Sequence, residues 1–275
     1  MFRVRKKTKF QHLSLGRPLF ATLLALFIAS PRAAAEMVSH RAAYSLKIGE
    51  VRQGGSVVDV SGLMTMTVEK SCDGWILAIR RDMKIATADG GDVSEDTRFA
   101  GWESTNGDHL RFAASIQMGD ERNDYNGEAR LQGADGAGEA VFKLPRAKTL
   151  KLPKGTLFPL AHTALLIDQA RAGARQVARP IFNGTEVEGA HEEVAFIGPF
   201  QDAPGGGDQG PLVARPGWNM RLAVYGTDKS QSVPQFEIEF LQLDNGVVPR
   251  LKWEFKQYTV LGSLEKVESL PAPLC

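Results

Sequence analysis

Residues 152–173, LPKGTLFPLAHTALLIDQARAG, interrupt a chain that otherwise alternates like a β-protein. Pro159 suits a first helical turn, where a missing N–H costs nothing, and Gly173 suits the residue just beyond a last turn. Between them Leu160, Ala164, Ile167 and Ala170 recur at helical spacing, with Leu166 beside them. Leu165 falls outside that stripe, so the helix is apolar over more than half its circumference. A helix of that kind is buried on several sides. The spacing therefore predicts a helix over Leu160–Ala172 enclosed by whatever the rest of the chain builds.

The rest reads as strands. Ala43–Ile48 alternates at period two. Val57–Val68 follows, with Gly62 inside it as a bulge or bend. Trp75–Thr87, Thr97–Ser104, His109–Met118, Asp124–Leu131 and Glu139–Leu144 continue the series, and Val177–Phe182, Glu193–Ile197, Trp218–Tyr225, Gln235–Leu243 and Val248–Leu261 come after the helix. The separators are rich in Gly, Asn and Asp, and Asp244-Asn245-Gly246 is a strong hairpin signal. Such spacing predicts an antiparallel meander. The simplest architecture is mainly β, one large curled antiparallel sheet, bowl-like, wrapped around one α-helix. Gly198–Gly217 is too rich in Gly and Pro for regular structure. It reads as a surface loop, with a flap over a cleft as the alternative.

Export enters through the first 35 residues. Met1–Arg17 holds six Lys/Arg and no acid, Pro18–Ser30 is apolar but too short for a stable span, and Ala33-Ala34-Ala35 supplies small residues for cleavage. The expectation is a signal peptide cut between Ala35 and Glu36; an uncleaved anchor is the alternative. The following 36–275 is read as a single exported domain with no transmembrane span. It carries 26 Lys/Arg against 32 Asp/Glu, so its mild acidity argues against nucleic acid or anionic lipid surfaces as partners.

No catalytic constellation emerges. Cys72 and Cys275 are the only cysteines; in an exported chain an even count favours a disulfide, and the Cys-x-x-Cys spacing of redox pairs is missing. His40, His109, His162 and His191 are scattered. His191-Glu192-Glu193-Val194-Ala195 lacks the second histidine of a zinc helix, and His162 reads as a core or rim residue. There is no phosphate loop and no nucleophile elbow, and Glu186/Glu188 and Glu192/Glu193 suit exposed strand faces. No cofactor or metal is expected. The tryptophans Trp75, Trp102, Trp218 and Trp253, and the phenylalanines in or beside strands, are expected to fill the concave face against the helix; a lipophilic cavity lining is the rival reading.

Residues 146–185, RAKTLKLPKGTLFPLAHTALLIDQARAGARQVARPIFNGT, resemble the signature region of the EipB family, periplasmic proteins of cell-envelope integrity in Gram-negative bacteria. The resemblance runs from about His40 to Cys275 and includes the HRAAYSLKI opening and both cysteines. It implies a spiral of about fourteen antiparallel strands with a helix in its bowl and one disulfide. The family is similar in architecture to periplasmic lipoprotein carriers and sigma-factor regulators. The resemblance implies a compartment and a role in envelope integrity; together with the export signal, the acidic mature chain and the lack of a catalytic constellation it points to non-enzymatic support of the envelope through a protein partner or scaffold role. The alternative is carriage of a lipid or lipopeptide in the concave face.

Overall fold

The computed structural model describes residues 37–133, 136–202, 210–227 and 232–275; the cleavage site expected at Ala35–Glu36 lies outside them. Eight strands precede the helix: β1 (His40–Val51), β2 (Val57–Lys70), β3 (Gly74–Thr87), β4 (Asp92–Ser104), β5 (His109–Met118), β6 (Glu121–Leu131), β7 (Gly138–Leu144) and β8 (Lys148–Leu152). After α1 (Pro159–Arg171) come β9 (Gln176–Ile181), β10 (His191–Gln201), β11 (Gly217–Val224), β12 (Phe236–Leu243), β13 (Arg250–Glu254) and β14 (Tyr258–Ser269). All pairings between these strands are antiparallel, in one sheet ordered β8-β7-β6-β5-β4-β3-β2-β1-β14-β13-β12-β11-β10-β9, and one isolated parallel bridge joins Leu157 to Ile181. The sheet is open, and its central seam joins the first strand to the last. The helix connects its two edges.

Period-two patterning explains the strands. In β1, His40, Ala42, Tyr44 and Leu46 are buried while Arg41 and Lys47 are exposed. The same alternation carries across the seam, where Tyr44 stands opposite Leu264 and its hydroxyl donates to Val248 O at 2.9 Å. Several boundaries differ from the sequence expectation. β8 was not expected at all, because five residues broken by lysines leave little pattern to read. Val248–Leu261 is two strands, since Phe255, Lys256 and Gln257 reverse the chain and Phe255 N donates to Tyr258 O. β10 continues through Gly198 and Pro199, accommodating them with a register shift between Ile197 and Phe200. Gly62 is not a bulge: it pairs in unbroken register with Met83, and a Cβ there would come within 2.3 Å of Asp82 O. Of the Gly198–Gly217 stretch, the part from Gly210 is anchored by Val213 in the core and by Arg215, which holds Asp244 through two bonds of 2.9 and 2.8 Å.

The helix is set by its ends and by what it buries. Pro159 occupies its first turn. At the other end Gly173 N donates to Ala170 O and Ala174 N to Gln169 O, with Gly173 at φ +85°, the paired bonds of a left-handed helix stop. Leu160 packs on Val68 and Leu77 of β2 and β3. Leu166, Ile167 and Ala170 pack on Val177, Ala195, Ile197, Trp218 and Met220 of β9–β11. The helix thus spans the concavity from one limb of the sheet to the other. Just outside it, Phe158 and Phe182 join Leu110, Phe112, Phe142 and Leu152, with the rings of Phe112, Phe142 and Phe182 edge-to-face at 5.2–6.0 Å.

Candidate functional site: the helix-lined cleft of the bowl

One side of α1 is left uncovered. Ala161, Ala164, Leu165 and Asp168 face a cleft of about 530 Å³ whose other wall is Trp75, the Asn106–Gly107 turn and Arg179 of β9. Ala164, expected to share the buried stripe with Leu160, Leu166, Ile167 and Ala170, is half-exposed here, because the apolar arc is wider than the sheet surface available to it. A smaller apolar pocket of about 120 Å³ lies beyond Leu160 and Met37, which line both spaces. No cleft residue comes from the Gly198–Gly217 loop, so its described part is not a flap over this opening.

The first turn of α1 has no side-chain cap of its own. Glu103 at the end of β4 reaches in instead. Leu160 N donates to its Oε1 at 2.7 Å and Ala161 N to its Oε2 at 3.0 Å. A carboxylate there suits both the free N–H groups and the positive end of the helix dipole. Burial opposes it: Glu103 is 3% exposed, and loss of water raises its pKa to about 7 despite the two bonds, which pull the other way.

Beneath the helix lies a second ionisable group. Strand alternation places His191 and Glu193 on the concave face and Glu192 on the other. Glu193 bridges two histidines: Oε1 meets His191 Nε2 at 2.9 Å and Oε2 meets His162 Nδ1 at 3.3 Å. Glu186 Oε1 lies 3.7 Å from His191 Nδ1. Burial holds His162 below its ordinary range, outweighing the attraction of Glu193. Burial also works against the charged form of His191, but the bond to Glu193 and the surrounding carboxylates prevail and raise its pKa. Burial raises Glu186. The arrangement ties α1 to β10 and to the loop before it. Among the described residues no group of three or more His, Cys, Asp or Glu could hold a metal ion. His109, away from this cluster, pairs with Glu128 at 3.1 Å.

The other sequence-flagged residues sit apart. Cys72, in the β2–β3 turn, is joined to Cys275 by a disulfide with an S–S distance of 2.04 Å and a sequence separation of 203. Trp218 is buried against the helix and Trp75 lines the cleft. Trp102, expected in the concave filling, lies on the opposite face with the Arg111 guanidinium 4.2 Å from its ring centre, because it is one residue out of phase with Glu103. Sequence reasoning missed Glu103 and the Glu193 bridge. The available signal was parity: Glu103 shares a face with Phe99 and Gly101, and Glu193 with His191 and Ala195.

The EipB-like family model matches residues 31–271. The cell envelope integrity protein EipB of Brucella abortus (strain 2308) is 26% identical over 248 residues, 87% of each chain. The crystal structure of a β-barrel-like protein of domain of unknown function DUF1849 from Brucella abortus superposes with a TM-score of 0.78 at 23% identity, covering 86% of this chain and all of that one.

Proposed function

This chain belongs to the EipB-like family, and from that premise we propose that it is a periplasmic binding protein that supports cell-envelope integrity without catalysing a reaction, by holding a protein partner in the helix-lined cleft. The role at its coarsest, envelope integrity, is the one for which the Brucella relative is named. The observation that carries the binding reading is the cleft itself. It has an apolar floor of Leu157, Leu160 and Leu165 and a polar rim of Asn106, Asp168, Gln169 and Arg179, the composition of a recognition surface with a dry centre. The proposed compartment rests on the family and on the basic, apolar and small-residue order of residues 1–35. No helix among the described residues is long and apolar enough to cross a membrane.

The second reading, carriage of a lipid or lipopeptide, draws on the apolar pocket that shares Met37 and Leu160 with the cleft. Its room of about 120 Å³ is that of about four water molecules at ~30 Å³ each, short of an acyl chain. Apart from this pocket and the open cleft, the concavity is filled by α1 and by Phe112, Phe142, Phe158, Phe182 and Trp218. That filling favours a partner lying in the cleft over a lipid swallowed by the bowl. A photocrosslinking residue at Ala164, in the intact envelope, tests both. A discrete protein adduct lost with Ala161→Arg supports the proposal. The same adducts from a crosslinker at Ser61, outside the cleft, overturn it, and a lipid adduct at Ala164 transfers the reading to the carrier.

A further inference from the structure

An open sheet has two edge strands, and here only one of them is engaged. Leu157 donates to Pro180 O at 2.9 Å and accepts from Phe182 N at 3.0 Å, so the residue ahead of the helix covers the end of β9. β8 has no such cover. In an antiparallel ladder the outermost strand turns alternate N–H and C=O groups away from its neighbour. Among the described residues, no hydrogen bond joins the backbone of Lys148–Leu152 to any segment but β7. This is an exposed template of the kind that other chains extend.

The chain segment that forms that edge carries charge of one sign, although Glu139 stands opposite Lys151 and Glu186 and Glu188 flank the Val187 carbonyl that Lys148 holds. Lys143, Arg146, Lys148, Lys151 and Lys154 fall between residues 140 and 167, which include no carboxylate. None of the five enters an ion pair among the described residues, whereas Arg80 on β3, Arg98 on β4 and Arg122 and Arg130 on β6 are all paired. Lys148 spends its ammonium on Val187 O. Lys151 stands opposite Glu139 in the ladder without an ion pair between them. Val141 and Leu144, beside these lysines, are 43% and 47% exposed. The patch therefore opposes the acidic balance of residues 36–275 and sits where an unused ladder and two apolar side chains coincide.

We propose that the free edge of β8 is a docking strand for an acidic, extended polypeptide segment of another protein, which adds to the sheet as one more strand. An anionic lipid surface would use the charges and leave the ladder unused; an extended polypeptide uses both. Its backbone supplies the missing hydrogen bonds, and its carboxylates, placed at alternate positions, meet Lys143 and Lys151 on one face. This site is separate from the cleft, so either can fail without the other.

The test uses the mature protein and a capped peptide of about eight residues alternating Glu and Val, the length of an ordinary strand. Its controls are the Lys/Val counterpart and versions of the Glu/Val peptide N-methylated at every second residue, in both phases. Titration followed by amide exchange should show the acidic peptide protecting Lys148–Leu152. Lys151→Glu with Lys154→Glu should weaken binding by about tenfold or more, and added salt should weaken it too. Both changes are exposed, and an unaltered melting temperature verifies the fold. At least one N-methylated version should fail to bind. Absence of protection at millimolar peptide, or equal binding by the Lys/Val peptide, overturns the proposal. So does equal binding by both N-methylated versions. If the charge-reversed protein instead self-associates with peptide binding unchanged, the lysines are guards against self-pairing and the proposal falls.

Discussion

Replacing Glu103 by glutamine should convert a buried titration into a flat baseline, and the size of the effect follows from the site. The carboxyl titrates near 4.5 in the unfolded chain and at about 7 in the fold, where burial disfavours its charge. At 1.36 kcal/mol per pH unit that difference is worth about 3 kcal/mol. The sign follows from linkage: an acid whose folded pKa is raised binds its proton more tightly when folded. Its stabilising contribution is whole below pH 4.5, declines as pH rises, and is lost above about 7. Glutamine carries no charge to lose, but it offers one carbonyl oxygen to the two N–H groups of Leu160 and Ala161, a pH-independent cost of about 1–3 kcal/mol. The variant should therefore be less stable than the parent at pH 5 and gain on it by about 2.5 kcal/mol by pH 8, pH 5 lying already above the unfolded value. Urea unfolding of both proteins followed by tryptophan fluorescence across that range measures the difference, and subtraction cancels every other titrating group. A stability difference that stays constant from pH 5 to 8 would refute the reasoning.

Other expectations follow from the same packing. Ile167→Ala should cost about 2–5 kcal/mol, because the side chain is fully buried against β9–β11, and Ile167→Asp more; an unchanged melting temperature for Ile167→Asp would place the helix at the periphery. His162 is held neutral by burial, so it supports the fold above its ordinary value of 6.5 and withdraws that support as pH falls below it. His162→Gln should flatten that acid-side decline, and an identical decline in both proteins by thermal melting would exclude the role. Breaking the Cys72–Cys275 link should cost up to about 5 kcal/mol by loop closure over 203 residues, equally for Cys72→Ser, Cys275→Ser and the double variant; two free thiols in the denatured parent protein would dispose of the idea. The mature chain should begin at Glu36, and N-terminal sequencing that returns Met1 on membrane-bound protein would contradict export with cleavage.

Strand existence was legible wherever one face meets water and the other the core, as in Ala43–Ile48, since burial then writes a period of two into the sequence. The helix was legible for the complementary reason, with Pro159 and Gly173 marking its ends. β8 was not, because an edge strand of five residues gains most of its structure from β7 rather than from its own composition. The division of Val248–Leu261 was hidden because Phe255, Lys256 and Gln257 reverse the chain without Gly, Asn or Pro. The concave site was less legible still. Glu103 caps a helix 57 residues away, and Glu193 meets His162 across the gap between β10 and α1. Such pairings are created by sheet curvature, which no local pattern records. Parity along β4 and β10 assigns those side chains to the inner face but not to a partner.

The β1–β14 seam constrains the order of events during biosynthesis. The strand that closes the free side of β1 is the last to be made, so until it arrives the sheet is half-built with β1, and finally β13 as well, exposed as sticky borders. Vectorial folding from the N-terminus cannot finish; it must wait for Tyr258–Ser269 and then for the search that brings ends more than two hundred residues apart into register. A chain truncated before β14 would be left a pair of unmatched halves prone to pair with each other's borders, and a nascent chain needs protection for the whole time its final segment is in transit.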